Sequence, residues 1–295
     1  MKSQYIAKVQ ANLKGKKLIY ATNKTTRLLE GNHDSIYKGR SMNFDKLRAY
    51  APGDEVADID WMASARNHSL MTKQYIAEKK HNVLLILDNN ASMSAHTNSL
   101  EIKKDTAIMS AGTVAYFAYK YGDYVGAVYA KGDGFCVHPF KTQLYHIEQI
   151  LKEYDEQPVV KGQRALEEAI GYVLNHIKKR MVIFIVTDME GIYQTPQKEL
   201  KRLAMVHDVF LLAVSDADWF GEKVYSVEQE RYLPAFFTKD KKLKKLEQEK
   251  RAQRLESCLA KCKSCQIAFS VIENAQEADI KIMELLERHE REKRR

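Results

Sequence analysis

The amino-acid sequence predicts an α/β fold in which a doubly wound, mostly parallel sheet carries helices on both faces. From about residue 82 onward, short apolar runs alternate with helical stretches, which is the pattern of successive βαβ units. The apolar runs are almost uninterrupted by polar residues, and this indicates strands that are buried on both faces.

The individual elements follow from the positions of these apolar runs and helical stretches. Five strands are predicted from runs rich in branched apolar residues, at residues 81–88, 124–130, 181–188, 208–216 and 266–273. Five helices are predicted between and after them, at residues 100–121, 143–154, 166–179, 196–207 and 275–291. The tripeptide Gly132-Asp133-Gly134 predicts a hairpin turn into a short antiparallel edge strand at residues 135–138.

The first eighty residues differ from the rest of the chain. After a polar helical start, Gly31, Gly39 and Pro52-Gly53 interrupt a segment that is dense in charged and aromatic residues. This segment lacks the apolar content of a second large core. We therefore expect residues 1–80 to form an N-terminal arm or small subdomain, and residues 81–295 to form the α/β domain.

Composition and charge restrict the class of protein. The chain has 295 residues, of which 45% are hydrophobic, and no apolar run approaches the roughly eighteen residues of a membrane span. The first residues lack the apolar core of a signal peptide. Four cysteines are too few for a disulfide framework. We expect a cytoplasmic protein with reduced thiols and no transmembrane segment.

Much of the net charge of +8 is concentrated in one predicted helix at about residues 239–265, where residues 239–254 hold eight Lys or Arg against three acidic residues. Such a stripe can bind nucleic acid, an anionic membrane surface or an acidic protein. No aromatic residues interleave these charges, as single-strand binding requires, so a solvated helix or an acidic protein partner is favoured.

Three of the four cysteines, Cys258, Cys262 and Cys265, have the C-x₃-C-x₂-C spacing of some iron–sulfur sites. Together with Leu255 they also lie at helical spacing on one apolar stripe of the same helix. We therefore expect these thiols to pack in the core.

Two carboxylates mark a candidate site. Asp88 and Asp188 each end a strongly apolar strand, and Asn90 and Ser92 follow Asp88 on one loop. In an open parallel sheet, functional crevices lie beyond the carboxyl ends of the strands, where the strand order reverses. If the two strands are neighbours, these oxygen ligands could hold Mg²⁺.

The segment at residues 33–75, HDSIYKGRSMNFDKLRAYAPGDEVADIDWMASARNHSLMTKQY, resembles the signature of the domain-of-unknown-function 58 (DUF58) family. The resemblance continues through LLILDNNASMS and IFIVTDME and covers roughly residues 25–215. It implies a von Willebrand factor A-like, Rossmann-type fold of a chiefly bacterial family. Its members often accompany MoxR-type AAA ATPases and have no established catalytic activity.

The resemblance also implies a metal-ion-dependent adhesion site, in a degenerate form. Asp88, Ser92 and Asp188 match its pattern, Asn90 replaces a serine, and Arg164 aligns with the usual threonine. We hypothesise that the Arg164 guanidinium substitutes for the metal, so that the site holds no cofactor or only weakly bound Mg²⁺. In a shifted alignment, Thr142 or Thr195 would supply the hydroxyl instead.

Within the signature segment, a set of polar and aromatic side chains is predicted to be structural or to bind the partner. They are His33, Ser35, Arg48, Tyr50, Asp54, Asp60, Trp61 and Arg66.

The sequence as a whole predicts a non-catalytic protein–protein interaction protein without a small-molecule substrate. By resemblance, it would be an adaptor or partner of a MoxR-type AAA ATPase in the assembly or remodelling of other proteins. One alternative is a module that binds nucleic acid or an anionic membrane through the basic helix. Another is a phosphoryl-transfer enzyme with Asp88 as nucleophile, although residue 90 is Asn rather than a second carboxylate.

Overall fold

The computed structural model describes residues 4–14, 42–77, 80–132, 134–160, 164–217, 225–226, 231–232 and 241–293. The chain divides into two compact units. Met1–Leu29 and His81–Arg295 form one, called the α/β unit, and Glu30–Lys80 form the other, called the N-terminal unit. Among the described residues, no helix is both long and apolar enough to cross a membrane.

The first helix, α1 (Gln4–Lys14), belongs to the α/β unit. Ile6 and Val9 on one face of α1 are buried, and Ile6 joins the main core. The backbone N–H groups of Tyr5 and Ile6 donate to the Glu148 carboxylate at 3.0 and 2.9 Å. These contacts satisfy N–H groups that a helix start leaves unpaired. The prediction that residues 1–80 form one arm therefore has to be corrected for this helix.

The N-terminal unit contains an antiparallel pair of strands, β1 (Met42–Ala49) and β2 (Met71–Ala77). Between them, a 3₁₀ turn at Val56–Asp58 is followed by the short helix α2 (Trp61–Asn67). Asp60 caps α2, because its carboxylate accepts from the backbone N–H of Ala63 at 2.9 Å.

The α/β unit is built on a six-stranded sheet. Its strands are β3 (Asn82–Leu87), β4 (Tyr124–Lys131), β5 (Gly134–Lys141), β6 (Val182–Asp188), β7 (Asp208–Val214) and β10 (Ala268–Ile272). A separate pair, β8 (Tyr225–Ser226) and β9 (Arg231–Tyr232), lies outside this sheet. The strand order is β10-β7-β6-β3-β4-β5, and every pairing is parallel except that of β5 with β4.

Helices cover both faces of the sheet. These helices are α3 (Lys103–Lys120), α4 (Leu144–Glu156), α5 (Ala165–His176), α6 (Met189–Gln194), α7 (Gln197–Val206), α8 (Lys241–Ser264) and α9 (Ala278–Lys293). Side chains of α1, α3, α4 and α9 form one core cluster with alternate strand residues, such as Val83 and Leu85. Those of α5, α6, α7 and α8 form the second cluster with the intervening residues, such as Leu84 and Ile86. The predicted doubly wound, mostly parallel fold is thus confirmed.

Most element bounds lie within a few residues of their prediction, with three differences. Helix α3 begins at Lys103 rather than at residue 100, because residues 96–102 form a loop closed by a bridge between His96 and Ile102. The edge strand β5 is longer than predicted, and the six-residue helix α6 was not predicted.

Candidate functional site

The candidate site lies where the direction of chain winding reverses. From β3 the chain adds β4 and β5 on one side, and from β6 it adds β7 and β10 on the other. Asp88 directly follows β3 and Asp188 ends β6, and these two strands are parallel neighbours. The structure therefore brings the two predicted carboxylates to one crevice, at the carboxyl ends of the parallel strands.

Asp88 is fully buried and its carboxylate is hydrogen-bonded within the protein. Oδ2 accepts from the Thr187 hydroxyl at 2.5 Å, and Oδ1 accepts from the backbone N–H of Asn90 at 3.0 Å. Burial, followed by the negative charge of Asp188, raises the pKa of Asp88 to about 7, despite these hydrogen bonds and the nearby charge of Lys103. A large share of Asp88 is therefore protonated at neutral pH.

The cation of the crevice is Lys103, the first residue of α3. Its Nζ lies 2.8 Å from Asp188 Oδ2 and also forms an ion pair with Asp216, which follows β7. Burial alone would lower the pKa of this almost fully buried amine, but the two carboxylates outweigh burial and raise it. Lys103 therefore stays charged between Asp188 and Asp216.

Asp188 is held from three directions. Besides Lys103, its carboxylate accepts from the backbone N–H of Gly191 at 2.8 Å and hydrogen-bonds the Ser92 hydroxyl. Burial would raise the pKa of Asp188, but Lys103 and these hydrogen bonds hold it below its usual value. Asp188 is therefore the ionised carboxylate of the pair.

Gly191 closes the crevice beside Asp88. A Cβ atom built on Gly191 would lie 2.1 Å from Thr187 Oγ1 and 2.6 Å from Asp88 Oδ2. No side chain fits there without displacing the hydrogen bond between Thr187 and Asp88. The glycine allows α6 to pack directly on the two acidic side chains.

Asn90 and Tyr154 fix the loop that carries Asp88. The Asn90 side-chain oxygen accepts from the backbone N–H of Ala165 at 3.2 Å, and the Tyr154 hydroxyl donates to the carbonyl of Asp88 at 2.5 Å. The Asn90 amide oxygen is therefore engaged at the start of α5.

The structure contradicts the predicted role of Arg164. Its side chain is 76% exposed and pairs with Glu167 on the following turn at 3.5 Å. Lys103 lies against Asp188 instead. The alternative hydroxyls do not replace Arg164 either. Thr195 donates to the carbonyl of Gly191. Thr142 follows the antiparallel strand β5, so it lies at the amino ends of the parallel strands, away from the crevice.

These side chains do not suit a divalent cation. The Asp188 oxygens are bonded to Lys103 and Gly191, while both Asp88 oxygens accept hydrogen bonds and its carboxyl group favours the protonated form. A hard cation such as Mg²⁺ requires ionised, available oxygen ligands. Here the ammonium group of Lys103 provides the positive charge.

One loop presents apolar side chains at the edge of the crevice. Leu100 is 82% exposed and has a left-handed backbone with φ of 62°, and Ile102 is 41% exposed. Hydrogen bonds from Thr97 N–H to the Glu101 carbonyl and from Leu100 N–H to the Thr97 carbonyl hold this loop. Lys103, whose side chain lies in the crevice, directly follows this loop in the sequence.

The predicted signature residues that the structure describes lie in the N-terminal unit. Arg48 pairs with Asp54 at 2.5 Å, and the backbone N–H of Tyr50 donates to the Leu70 carbonyl at 2.8 Å. These contacts agree with a structural use. Two other signature residues, Trp61 and Arg66, are exposed on α2. His33 and Ser35 lie outside the described residues.

The predicted basic helix corresponds to α8, and its second half packs against the rest of the α/β unit. Arg254 pairs with Glu190 at 3.2 Å, and Lys261 donates to three carbonyl groups at the end of α6. Its three cysteines, Cys258, Cys262 and Cys265, are buried in the second core cluster, as predicted. Residues 239–240 lie outside the described residues.

Four residues of the crevice were not predicted from the sequence, namely Lys103, Thr187, Asp216 and Gly191. One signal for Lys103 was available. Lys103 and Lys104 stand together in the first turn of a largely apolar helix, where the helix dipole disfavours positive charge. Two cations at that position require oxygen acceptors elsewhere in the fold, which are carboxylates for Lys103 and the backbone carbonyls of Asp155 and Gln157 for Lys104.

The family described as "Protein of unknown function DUF58" matches residues 46–219 of this chain. Uncharacterized protein Rv1480 of Mycobacterium tuberculosis is 27% identical over 193 residues, which are 64% of this chain and 60% of that protein. The chain thus spans about 60% of the length of this relative. Uncharacterized protein YeaD of Bacillus subtilis is 37% identical over 57 residues, which cover 19% of this chain and 14% of YeaD.

Solved structures with a similar arrangement include conserved hypothetical protein BatB from Bacteroides thetaiotaomicron. Its TM-score is 0.44 at 16% identity, over 72% of this chain and 99% of BatB. A protein titled von Willebrand factor type A from Catenulispora acidiphila has a TM-score of 0.41 at 11% identity, over 74% of this chain and 44% of that one. Because the family match covers more than half of the sequence, this chain belongs to the DUF58 family of proteins of unknown function.

Proposed function

We propose that this protein is a non-catalytic, cytoplasmic protein-interaction module whose crevice works without a divalent cation. The partner we propose, from the family resemblance, is a MoxR-type AAA ATPase or a protein that the pair remodels. The observation that carries the cation-independent mechanism is the Lys103 ammonium group between Asp188 and Asp216.

A divalent ion would have to displace this internal cation. Breaking a buried ion pair costs about 3–5 kcal/mol. That cost corresponds to a loss of roughly 10²- to 10⁴-fold in metal affinity compared with the same carboxylates without the lysine. The raised pKa of Asp88 adds to the cost, because a metal would first have to remove its proton.

The surface beside the crevice suits a protein partner. Leu100 is an apolar side chain on a loop that its own hydrogen bonds hold in place, and its positive φ is rare for a leucine. Strained, exposed positions of this kind are common in binding sites. Ser92 and Asp216, whose side chain is 35% exposed, add polar groups near this loop.

The phosphoryl-transfer alternative is disfavoured by the surroundings of Asp88. A nucleophilic carboxylate must be ionised and must reach its substrate. Asp88 is fully buried beside Gly191, both of its oxygens accept hydrogen bonds, and its pKa is raised.

The cation-independent mechanism is tested by calorimetric titration with Mg²⁺. We expect no binding to the wild type and measurable binding to Lys103→Ala, in which Asp188 and Asp216 lose their cation. Arg164→Thr serves as the matched control and should behave as the wild type, because Arg164 lies away from the carboxylates. Tight metal binding by the wild type that disappears in Asp188→Ala would contradict the proposal.

The partner is tested by measuring the affinity for a MoxR-type ATPase of the source organism, with and without EDTA. Leu100→Asp should weaken binding by at least about tenfold, roughly the cost of losing one buried leucine contact. EDTA should have no effect. Leu246→Asp, an equally apolar exposed position on α8, is the control. If only Leu246→Asp weakens binding, and binding falls steeply with salt, the basic helix would be the interaction surface instead.

A further inference from the structure

A second group of potential ligand side chains lies at the edge of the sheet, between β5 and α4. Cys136 and His138 are two residues apart on β5 and therefore point to the same face of the strand. Glu153 reaches them from α4. One potential ligand atom from each side chain lies within 4.8 Å of the other two.

The distances within this group suit a tetrahedral metal centre. His138 Nε2 lies 3.4 Å from Cys136 Sγ and 3.6 Å from Glu153 Oε2. Around tetrahedral zinc, with bonds of about 2.3 Å to sulfur and about 2.0–2.2 Å to nitrogen and oxygen, adjacent ligand atoms are roughly 3.4–3.6 Å apart. These two distances therefore match adjacent ligands of one ion, and the third pair of ligand atoms lies within 4.8 Å.

We propose that Cys136, His138 and Glu153 form a binding site for Zn²⁺ or a similar transition-metal ion. A thiolate and an imidazole favour such borderline ions over Mg²⁺ and Ca²⁺. Three protein ligands leave one coordination position for water. The Glu153 side chain is 38% exposed, so this position is accessible from solvent.

The surrounding residues support this role. Gln149, one turn before Glu153 on α4, donates to Glu153 Oε1 at 2.7 Å and leaves Oε2 directed at His138. Outer contacts of this kind orient metal ligands. Tyr129 lies directly opposite Cys136 on β4 and hydrogen-bonds its thiol. The Tyr129 hydroxyl also lies 3.3 Å from His138 Nε2, and it would donate to the Cys136 sulfur alone once that nitrogen bound a metal.

Two neighbouring groups are not ligands in this proposal. His146 lies edge-on to His138, but its Nε2 contacts the Pro139 carbonyl at 2.7 Å and it also hydrogen-bonds the backbone of Val125. Burial raises the pKa of the Tyr129 phenol well above its usual value, so Tyr129 remains a hydrogen-bond donor.

The other cysteines do not offer the same chemistry. Burial raises the pKa of Cys258, and it raises the pKa of Cys262 to about 12, so both remain thiols within the core. Cys265 is buried in the same core cluster, where its thiol donates to the Gln197 carbonyl at 3.7 Å. Metal ions bind the thiolate form. The half-buried Cys136 is therefore the cysteine expected to give a thiolate–metal signal.

The test is titration of the apo-protein, purified with a chelator, with Co²⁺ and then with Zn²⁺. We expect one equivalent of Co²⁺ to produce a thiolate charge-transfer band and the visible bands of tetrahedral cobalt, and Zn²⁺ to displace it. Cys136→Ser should abolish the charge-transfer band, and Glu153→Gln should weaken binding by more than about 10-fold, since even outer-shell changes cost 10–100-fold.

Matched controls localise the signal. Glu156→Gln on the same helix should bind as the wild type, because Glu156 pairs with Lys152 away from the cluster. Gln149→Leu should weaken binding by about tenfold without removing the cobalt spectrum. Circular dichroism checks the fold of each variant. If Cys136→Ser fails to fold, Glu153→Gln still tests the site, because it changes a partly exposed residue. The proposal would be overturned if the wild type gave no thiolate–cobalt band, or if the band survived in Cys136→Ser.

Discussion

Replacing Asp88 by asparagine removes a titrating group from the crevice while keeping its shape. The amide oxygen can still accept from the backbone N–H of Asn90, and the amide nitrogen can donate to the Thr187 hydroxyl. The variant therefore isolates the consequence of the raised pKa of Asp88, which is about 7.

The magnitude follows from linkage. An unfolded aspartate has a pKa of about 3.9, so the shift is about three units, or roughly 4 kcal/mol in total. Because the folded pKa is raised, the folded state binds the extra proton, and the stability that this one group contributes is fully present below about pH 4 and is lost as the pH rises through 7. The asparagine variant has no such loss. Its stability relative to the wild type should increase by roughly 2–3 kcal/mol between pH 5 and pH 8.

Urea unfolding at pH 5, 6, 7 and 8 measures this difference. Glu156→Gln, which neutralises a carboxylate at the surface of the same unit, corrects for the general effect of removing a negative charge. A stability difference between Asp88→Asn and wild type that stays constant with pH would refute the reasoning. Asp88 would then be ionised in the folded protein, and the crevice would carry the extra negative charge that attracts a metal ion.

Three further substitutions test the packing around the crevice and the first helix. Lys103→Met should lower the free energy of unfolding by about 3–5 kcal/mol, and adding Asp188→Asn should restore most of it; a double variant as unstable as the single one would contradict the pairing. Gly191→Ala, although alanine favours helices, should destabilise by about 1–3 kcal/mol in urea unfolding, and a gain would show that the close approach is relieved cheaply. Glu148→Ala should cost about 1–2 kcal/mol and speed amide exchange within residues 4–14; unchanged exchange there would show that α1 does not depend on this carboxylate.

The sheet and its order of helices could be predicted because a parallel sheet imposes a strong pattern. Strands such as β6 are buried on both faces, so their apolar runs are nearly continuous and are visible without any knowledge of the fold. The positions of Asp88 and Asp188 followed for the same reason, since each directly follows or ends such a run. Helix α1 was assigned to the arm because its apolar face is narrow and its partners lie more than a hundred residues away.

The cation of the crevice could not be located from the sequence. A lysine at the start of a helix usually lies in solvent, and only the tertiary structure shows that β6 and β7 bring Asp188 and Asp216 to Lys103. Arg164 was predicted as the cation because it aligns with the threonine of the family pattern. An alignment does not show where a side chain points. The Cys136–His138–Glu153 group was missed because its members join an edge strand to a helix, without a short sequence spacing.

The assignment of α1 to the α/β unit has a consequence for how the protein is made. The unit is discontinuous in sequence, because Glu30–Lys80 form a separate unit between α1 and β3. During synthesis α1 emerges before the N-terminal unit, but Glu148, to which its first turn is bonded, follows more than 140 residues later. The helices α3 and α4, against which α1 packs, also follow the N-terminal unit in the sequence, so the apolar face of α1 still lacks its native partners when that unit is complete. Helix α1 is thus made before the N-terminal unit but reaches its final contacts after it.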